Sequence, residues 1–217
     1  MKKLCTFAFI LMFVAINLYG QKTPQDVFKT DNIVWYGLDF SEARFIGQFD
    51  QAAGIAPATA NDMKYSYIPA WNALILSEPN RYDLRKTFRK VNVYNDLKDV
   101  EVSNRQINED KLMSFNPYRF EDAAEVVSSI IGNYGDGERN EGVGLVFIVE
   151  YFNRIDQEAA VYVTFFDIAT QEVLFKERML GSPRGIGLRN YWAGAIRNIL
   201  LDIERQTYRS WQNTYGQ

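Results

Sequence analysis

The chain of 217 residues contains no histidine and a single cysteine, Cys5. Cys5 lies in an apolar N-terminal segment that we expect to be removed, so the mature chain would contain neither residue type. Their absence excludes disulfides, thiolate nucleophiles, zinc sites built from Cys or His, Ser-His-Asp triads and histidine general bases. We therefore predict no metal site, no cofactor and no catalytic residue of these types.

The first twenty residues have the pattern of a secretory signal peptide. Lys2 and Lys3 precede an apolar run over residues 4–18, and Gly20 closes it. Such a run is too short to cross a bilayer comfortably, and a small residue at its end is typical of a cleavage site. The sequence predicts a signal peptide over residues 1–20, cleavage after Gly20, and a periplasmic or secreted protein with no integral membrane span after cleavage.

Two other interpretations of this segment concern the membrane. Leu18 is a poor residue two positions before the cut, where a small residue is expected, and this leaves an uncleaved membrane anchor as the alternative. Lipid attachment at Cys5 conflicts with position, since a lipidated cysteine follows the apolar run and Cys5 stands at its start. The chain is therefore not predicted to be a lipoprotein.

The net charge of the chain gives no indication of a charged partner. The formal net charge is -3, and removal of Lys2 and Lys3 lowers it to -5. This mildly acidic balance, with no basic run, predicts no electrostatic surface for nucleic acid or anionic lipid. Hydrophobic residues make up 47% of the chain and aromatics 15%, which is typical of a globular protein with a sizeable core.

The first two thirds of the chain predict a strand and several helices. Residues 21–32 are polar and predict a mobile leader. Residues 33–40 are apolar on both faces and predict an interior strand covered by helices. Apolar spacing predicts helices over 62–77 and 121–131. Further segments complete this part: a short helix over 82–88, a modest strand over 91–94, and residues 95–118, whose sequence predicts no defined structure.

The last third has the clearest pattern. Residues 143–152, 159–168 and 172–180 read as strands joined by short connections, which allow only antiparallel hairpins. A glycine-rich loop then leads to a final helix from Leu188 to about Tyr208 or beyond. We predict one α/β domain over residues 33–217, with a mixed sheet flanked by helices, a C-terminal three-stranded antiparallel meander and a closing helix.

This layout resembles a group of bacterial envelope domains, most clearly over residues 143–205. The segment that carries the resemblance is Phe166-Asp167-Ile168-Ala169-Thr170-Gln171-Glu172-Val173-Leu174. It is similar to the Asp-x-x-Thr-Gly-x-Val-Leu-like hairpin ahead of the closing helix in the TolB amino-terminal domain, the curli-secretion lipoprotein and the lipoprotein activator of penicillin-binding proteins. Gln171 stands where those proteins usually have glycine, and the anchoring cysteine of the two lipoproteins is absent. The resemblance implies a non-catalytic envelope domain that binds another macromolecule.

Carboxylates are the remaining candidates for acid-base chemistry. Asp39, Glu150 and Asp167 lie in predicted strands, where apolar neighbours raise the pKa of an acid and make it a proton donor. A pair of such acids could hydrolyse glycosides. The competing interpretation is structural, because Asp39 and Asp167 each precede a turn whose backbone N–H groups an aspartate can bind.

Two binding features are predicted near the C-terminus. Gly185 and Gly187 precede the final helix, where N–H groups could hold an anion with charge from Arg184 and Arg189; a plain turn into the helix is the alternative. The aromatic residues of the tail are candidate partner contacts if they do not pack within the domain. These aromatic residues are Tyr208, Trp211 and Tyr215.

The tail aromatics pose a geometric problem for a straight helix. Trp192, Ile196, Ile199 and Ile203 form one stripe, and the tail aromatics form a second stripe rotated by roughly 130°. One straight helix cannot bury both stripes against one sheet. Either the helix changes near Gln206 and the tail packs, or the tail faces a partner.

The sequence predicts an exported, non-catalytic envelope accessory or binding module, with another envelope protein or a glycan as its partner. Two alternatives remain open. One is a carboxylate-dependent hydrolase of envelope polysaccharide, and the other is a self-associating structural subunit, a homo-oligomer.

Overall fold

A computed structural model describes residues 21–51 and 55–217, so the predicted signal peptide lies outside the described residues. The strands are β1 (Asn32–Asp39), β2 (Arg44–Ile46), β3 (Asn92–Asn95), β4 (Met113–Ser114), β5 (Val143–Asn153), β6 (Glu158–Asp167) and β7 (Glu172–Gly181). The helices are α1 (Pro24–Lys29), α2 (Ala60–Asp62), α3 (Ile68–Ser77), α4 (Leu84–Thr87), α5 (Lys98–Arg105), α6 (Glu109–Leu112), α7 (Ala123–Gly132), α8 (Leu188–Asp202) and α9 (Tyr208–Tyr215).

Seven strands form one mixed sheet around β5. β1 and β2 pair with successive halves of β5 in parallel, and β3 and β4 extend the sheet outward from β1 and β2. On its other side β5 pairs with β6, and β6 with β7, both antiparallel. The predicted α/β fold with a mixed sheet is confirmed, and the predicted hairpins form with nearly the predicted bounds.

Helices cover both faces of the sheet. The larger core joins Trp35 and Leu38 of β1 to α3, α8 and α9, whereas the smaller core joins Val34 and Tyr36 to α5 and α7. A bulge at Gly37 inserts one extra residue into β1, so that Leu38 returns to the face of Trp35. The interior position predicted for the first strand is confirmed.

Residues 21–32 are not a mobile leader, and that prediction is wrong. Residues 24–29 form α1, whose Val27 is fully buried and whose Phe28 ring stacks on Phe175 with centroids 5.6 Å apart. The Lys90 ammonium donates hydrogen bonds to the carbonyl oxygens of Val27 and Thr30. The segment is ordered because these contacts satisfy the C-terminal carbonyls of a helix too short to be stable alone.

Two helices contain a wide π-helical turn. The turn Met63–Tyr67 joins α2 to α3, and the turn Ile203–Thr207 joins α8 to α9. In the second turn the Tyr208 N–H donates to the Ile203 carbonyl, five residues back. The extra residue per turn places Tyr208 over Ile203, so both apolar stripes face the same core.

Among the described residues, no helix is both long enough and apolar enough to span a bilayer.

Candidate functional site

The outer edge of β1 is only partly covered by another strand. β3 pairs with β1 from Asn32 to Trp35 and then turns away. Beyond that point the buried side chain of Asn72, from α3, takes the place of a strand. Its amide oxygen accepts from the Leu38 N–H at 2.7 Å, and its amide nitrogen donates to the Leu38 carbonyl at 3.0 Å. α3 is thereby fixed to the sheet edge.

A second asparagine continues this pairing from α5. The Asn104 amide nitrogen donates to the same Leu38 carbonyl at 3.0 Å, and its oxygen accepts from the Phe40 N–H at 2.7 Å. Asn72 and Asn104 are each 7% exposed, so these hydrogen bonds satisfy groups that water does not reach. The two helices are held side by side over one strand edge.

An open apolar groove of about 370 Å³ lies between these helices. Tyr65 and Leu76 form part of its wall while being 57% and 39% exposed. Tyr65 belongs to the first π-helical turn, a feature common at functional sites. The lining residues are Lys64, Tyr65, Ile68, Pro69, Asn72, Ala73, Leu76, Leu97, Glu101, Asn104 and Arg105. The groove presents apolar surface to solvent above a floor of hydrogen-bonded asparagine side chains.

The charges around the groove pair with one another. Lys64 lies 3.2 Å from Glu109, and Arg105 lies 3.2 Å from Glu101. Lys64 also donates to the Ile107 carbonyl at 2.8 Å. Each cation therefore has an acid beside it, and the groove favours an uncharged apolar ligand over a charged one.

Asp39, the first predicted acid, is fully buried and held by neutral donors. Its carboxylate accepts hydrogen bonds from the Ser41 N–H at 2.8 Å and from the Tyr134 hydroxyl at 2.8 Å. Burial raises the pKa of Asp39 above its ordinary value, although these hydrogen bonds oppose the rise. Burial, together with the Asp39 charge, also raises the pKa of Tyr134. This arrangement fixes the turn after β1, as the structural interpretation predicts.

The other two predicted acids also have internal partners. Glu150 is fully buried, lies 2.7 Å from the Arg178 guanidinium and accepts from the Phe120 N–H at 2.9 Å. Asp167 lies 2.9 Å from the Lys22 ammonium and accepts from the Ala169 N–H at 3.1 Å. Their contacts connect the sheet to neighbouring segments and give both acids a structural role.

Three of the predicted anion-binding residues, Arg184, Gly185 and Gly187, lie in the loop that folds back on α8, and Arg189 lies in the first turn of that helix. The Arg184 N–H donates to the Tyr191 carbonyl at 3.0 Å, and a Cβ on Gly185 would lie 2.6 Å from the Asn190 carbonyl oxygen. Gly185 therefore permits close packing of the loop on the helix, as the plain-turn alternative requires. The side chains of Arg184 and Arg189 are both exposed, and Gly187 is the N-cap of α8.

The tail aromatics pack inside the domain. Tyr208 and Trp211 are 2% and 4% exposed, and the Tyr215 hydroxyl donates to Glu177 at 2.6 Å while its ring stacks on Phe175. The predicted partner contact through Tyr208 and Trp211 is therefore wrong, because the π-helical turn brings both rings onto the core. The packing alternative describes the tail correctly.

Sequence reasoning missed the residues that build the groove. Asn104 lies within residues 95–118, for which no structure was predicted, and Asn72 lies within a helical stretch read only for its apolar stripe. An amide between Trp71 and Ala73 was the available signal, because a polar residue in a buried helix needs a partner.

Comparison of this chain with protein-family models, curated proteins and solved structures finds no match. The resemblance to envelope domains over residues 143–205 stays a prediction.

Proposed function

We propose that this chain is an exported, non-catalytic envelope binding module whose groove between α3 and α5 holds an uncharged apolar segment of another envelope macromolecule. The observation that carries the binding part is the open apolar groove above the Asn72 and Asn104 hydrogen bonds. Export and envelope location rest on the N-terminal sequence pattern and on the resemblance.

The groove has suitable dimensions for such a ligand. Ligand sites in proteins are usually clefts of about 300–1,000 Å³ with apolar walls and a few fixed polar groups. At about 370 Å³ this groove has room for a few large apolar side chains. Tyr65 supplies an aromatic contact of the type enriched at binding hot spots.

The binding proposal is tested with Nile red, an uncharged apolar dye. We expect a saturable, blue-shifted fluorescence signal that Leu76→Asp and Ala73→Glu each remove, because both place a charge in the groove. The matched control is Leu180→Asp, which adds the same charge at a similarly exposed leucine outside the groove. If the groove variants bind the dye as well as the unchanged chain, the proposal is wrong.

The hydrolase alternative would need a cleft lined by two carboxylates. A cleft of about 360 Å³ near the carboxyl end of β1 contains Glu42 and Glu125, among serine, asparagine and glutamine side chains. A glycosidase needs one desolvated carboxyl as its general acid, whereas both of these side chains are exposed. Hydrolysis of peptidoglycan by the chain, abolished by Glu125→Gln, would establish this alternative over the binding module.

A further inference from the structure

The three most exposed large apolar side chains of the described residues lie at one end of the sheet. Ile186, Phe115 and Ile155 are 92%, 74% and 62% exposed. They follow β7, β4 and β5, which run in one direction through the sheet. All three therefore stand on loops at the carboxyl ends of these strands, and we call them the loop tips.

A chain of contacts links the loops that carry the three tips. The Gly47 N–H donates to the Ser114 carbonyl at 2.8 Å, beside Phe115, and a Cβ on Gly47 would lie 3.0 Å from the Ile155 side chain. Tyr191 connects this pair to the third tip. Its hydroxyl lies 3.4 Å from the Arg154 guanidinium, and its carbonyl accepts from the Arg184 N–H at 3.0 Å. The loop tips thus share one surface.

Three arginines accompany the loop tips. Arg154 precedes Ile155, while Arg184 and Arg189 flank Ile186 on both sides. Two acids lie near the same loops, Asp156 beside Ile155 and Asp50 three residues after Gly47, and each accepts a hydrogen bond from a neutral amide at 2.7 Å. Electrostatic screening in physiological salt acts over about 8 Å, so the local arginines matter more to this surface than the acidic balance of the whole chain.

We propose that the loop tips insert into the headgroup region of an anionic phospholipid bilayer. Single exposed apolar side chains on three separate loops would each need a pocket in a protein partner, whereas a bilayer accepts them at any spacing. The exposed guanidinium groups of Arg184 and Arg189 would contact the anionic headgroups while their stems stay at the interface, and Arg154 lies over the Tyr191 ring. This peripheral contact is independent of the α3–α5 groove and requires no membrane-spanning segment.

The test places a tryptophan at one tip and a matched one at the far end of the molecule. Ile186→Trp is the reporter, and Val91→Trp is the control, since Val91 is 60% exposed and precedes β3 at its amino end. The complete chain is mixed with vesicles of equal phosphatidylcholine and phosphatidylglycerol that carry brominated acyl chains. Quenching of the unchanged chain, which contains four tryptophans, is subtracted from both variants, and the difference between the two positions then separates contact through the loop tips from binding through residues 1–20.

We expect at least threefold stronger quenching of the tryptophan at 186 than at 91, and loss of this difference in phosphatidylcholine vesicles. Reversing the charges with Arg184→Glu and Arg189→Glu should weaken vesicle binding of the reporter at least fivefold. Equal quenching at both positions, or none, would overturn the proposal. If quenching is absent and Ile186→Asp instead dissolves an oligomer in light scattering, the loop tips contact a second copy of the chain.

Discussion

The polar interior beneath α7 and the groove between α3 and α5 differ in which of their side chains remain available to a partner. Asp39 and Glu150 are buried, and their carboxylates already accept hydrogen bonds from within the chain. The groove has the opposite character, because its polar floor is satisfied while the apolar side chains of Tyr65 and Leu76 remain open to solvent. Of the two regions, the groove is therefore the one that can bind a partner, through apolar contacts. Substitutions should therefore reduce stability in the polar interior and reduce binding in the groove.

The largest expected effect belongs to the polar interior. Glu150→Ala removes the partner of Arg178, whose side chain is only 21% exposed, and should lower the free energy of unfolding by about 3 kcal/mol. The matched control is Glu101→Ala, which breaks the exposed pair with Arg105 and should cost less than about 1 kcal/mol. Urea denaturation of both variants measures this. Equal costs would contradict a structural role for Glu150.

The bulge in β1 connects the two regions and should show the next effect. Gly37 has a φ of 114°, and a Cβ there would lie 2.6 Å from the amide oxygen of Asn72. Gly37→Ala should therefore cost about 2 kcal/mol, through backbone strain and displacement of Asn72. Gly132→Ala is the control, because a Cβ at the end of α7 meets nothing within 4 Å. Thermal unfolding that is equally affected by both would refute this account of the bulge.

A smaller, pH-dependent effect is expected at Lys90, which holds α1. Burial lowers the pKa of Lys90 to about 8, although the Asp31 charge opposes this. Between pH 8 and the ordinary lysine pKa, the unfolded chain keeps a proton that the folded chain has lost, so stability rises with pH. From about pH 8 to 9.5 the chain should gain roughly 1–2 kcal/mol relative to Lys90→Met.

Urea denaturation at the two pH values measures this gain. The control is Lys86→Met, since the hydrogen bond and the charge of Glu204 raise the pKa of Lys86, and its pH dependence should be flat in this range. A stability difference between the unchanged chain and Lys90→Met that does not vary with pH would show that the ammonium is not desolvated.

Strong periodic patterns predicted much of the fold. The meander of β5 to β7 and helix α7 follow from apolar spacing in Val143–Asn153 and Ala123–Gly132. The six-residue α1 was missed because tertiary contacts at Val27 and Lys90 stabilise it, and no repeating pattern does. The π-helical turn before Tyr208 is visible in the sequence as the rotation between the two apolar stripes. The extra residue that the turn inserts compensates for this rotation.

The candidate site could not be predicted in the same way. It depends on two asparagine side chains, Asn72 and Asn104. They are 32 residues apart in the sequence, and both donate a hydrogen bond to the Leu38 carbonyl. A long-range amide-to-backbone contact has no periodic signature. The groove also needs β3 to leave β1 after Trp35, and the length of pairing between two strands is decided by tertiary packing.

The smallest expected effect on stability, and the most direct test, lies in the groove. The uncharged peptide acetyl-leucyl-leucine amide is titrated into the labelled chain, and amide NMR shifts are recorded. We expect shifts concentrated at residues 64–76 and 97–105. These shifts should be lost in Leu76→Asp, whose unfolding free energy should stay within about 0.5 kcal/mol of the unchanged chain. Shifts centred instead on Ser41, Ser129 and Asn133 of the cleft near the carboxyl end of β1 would contradict it.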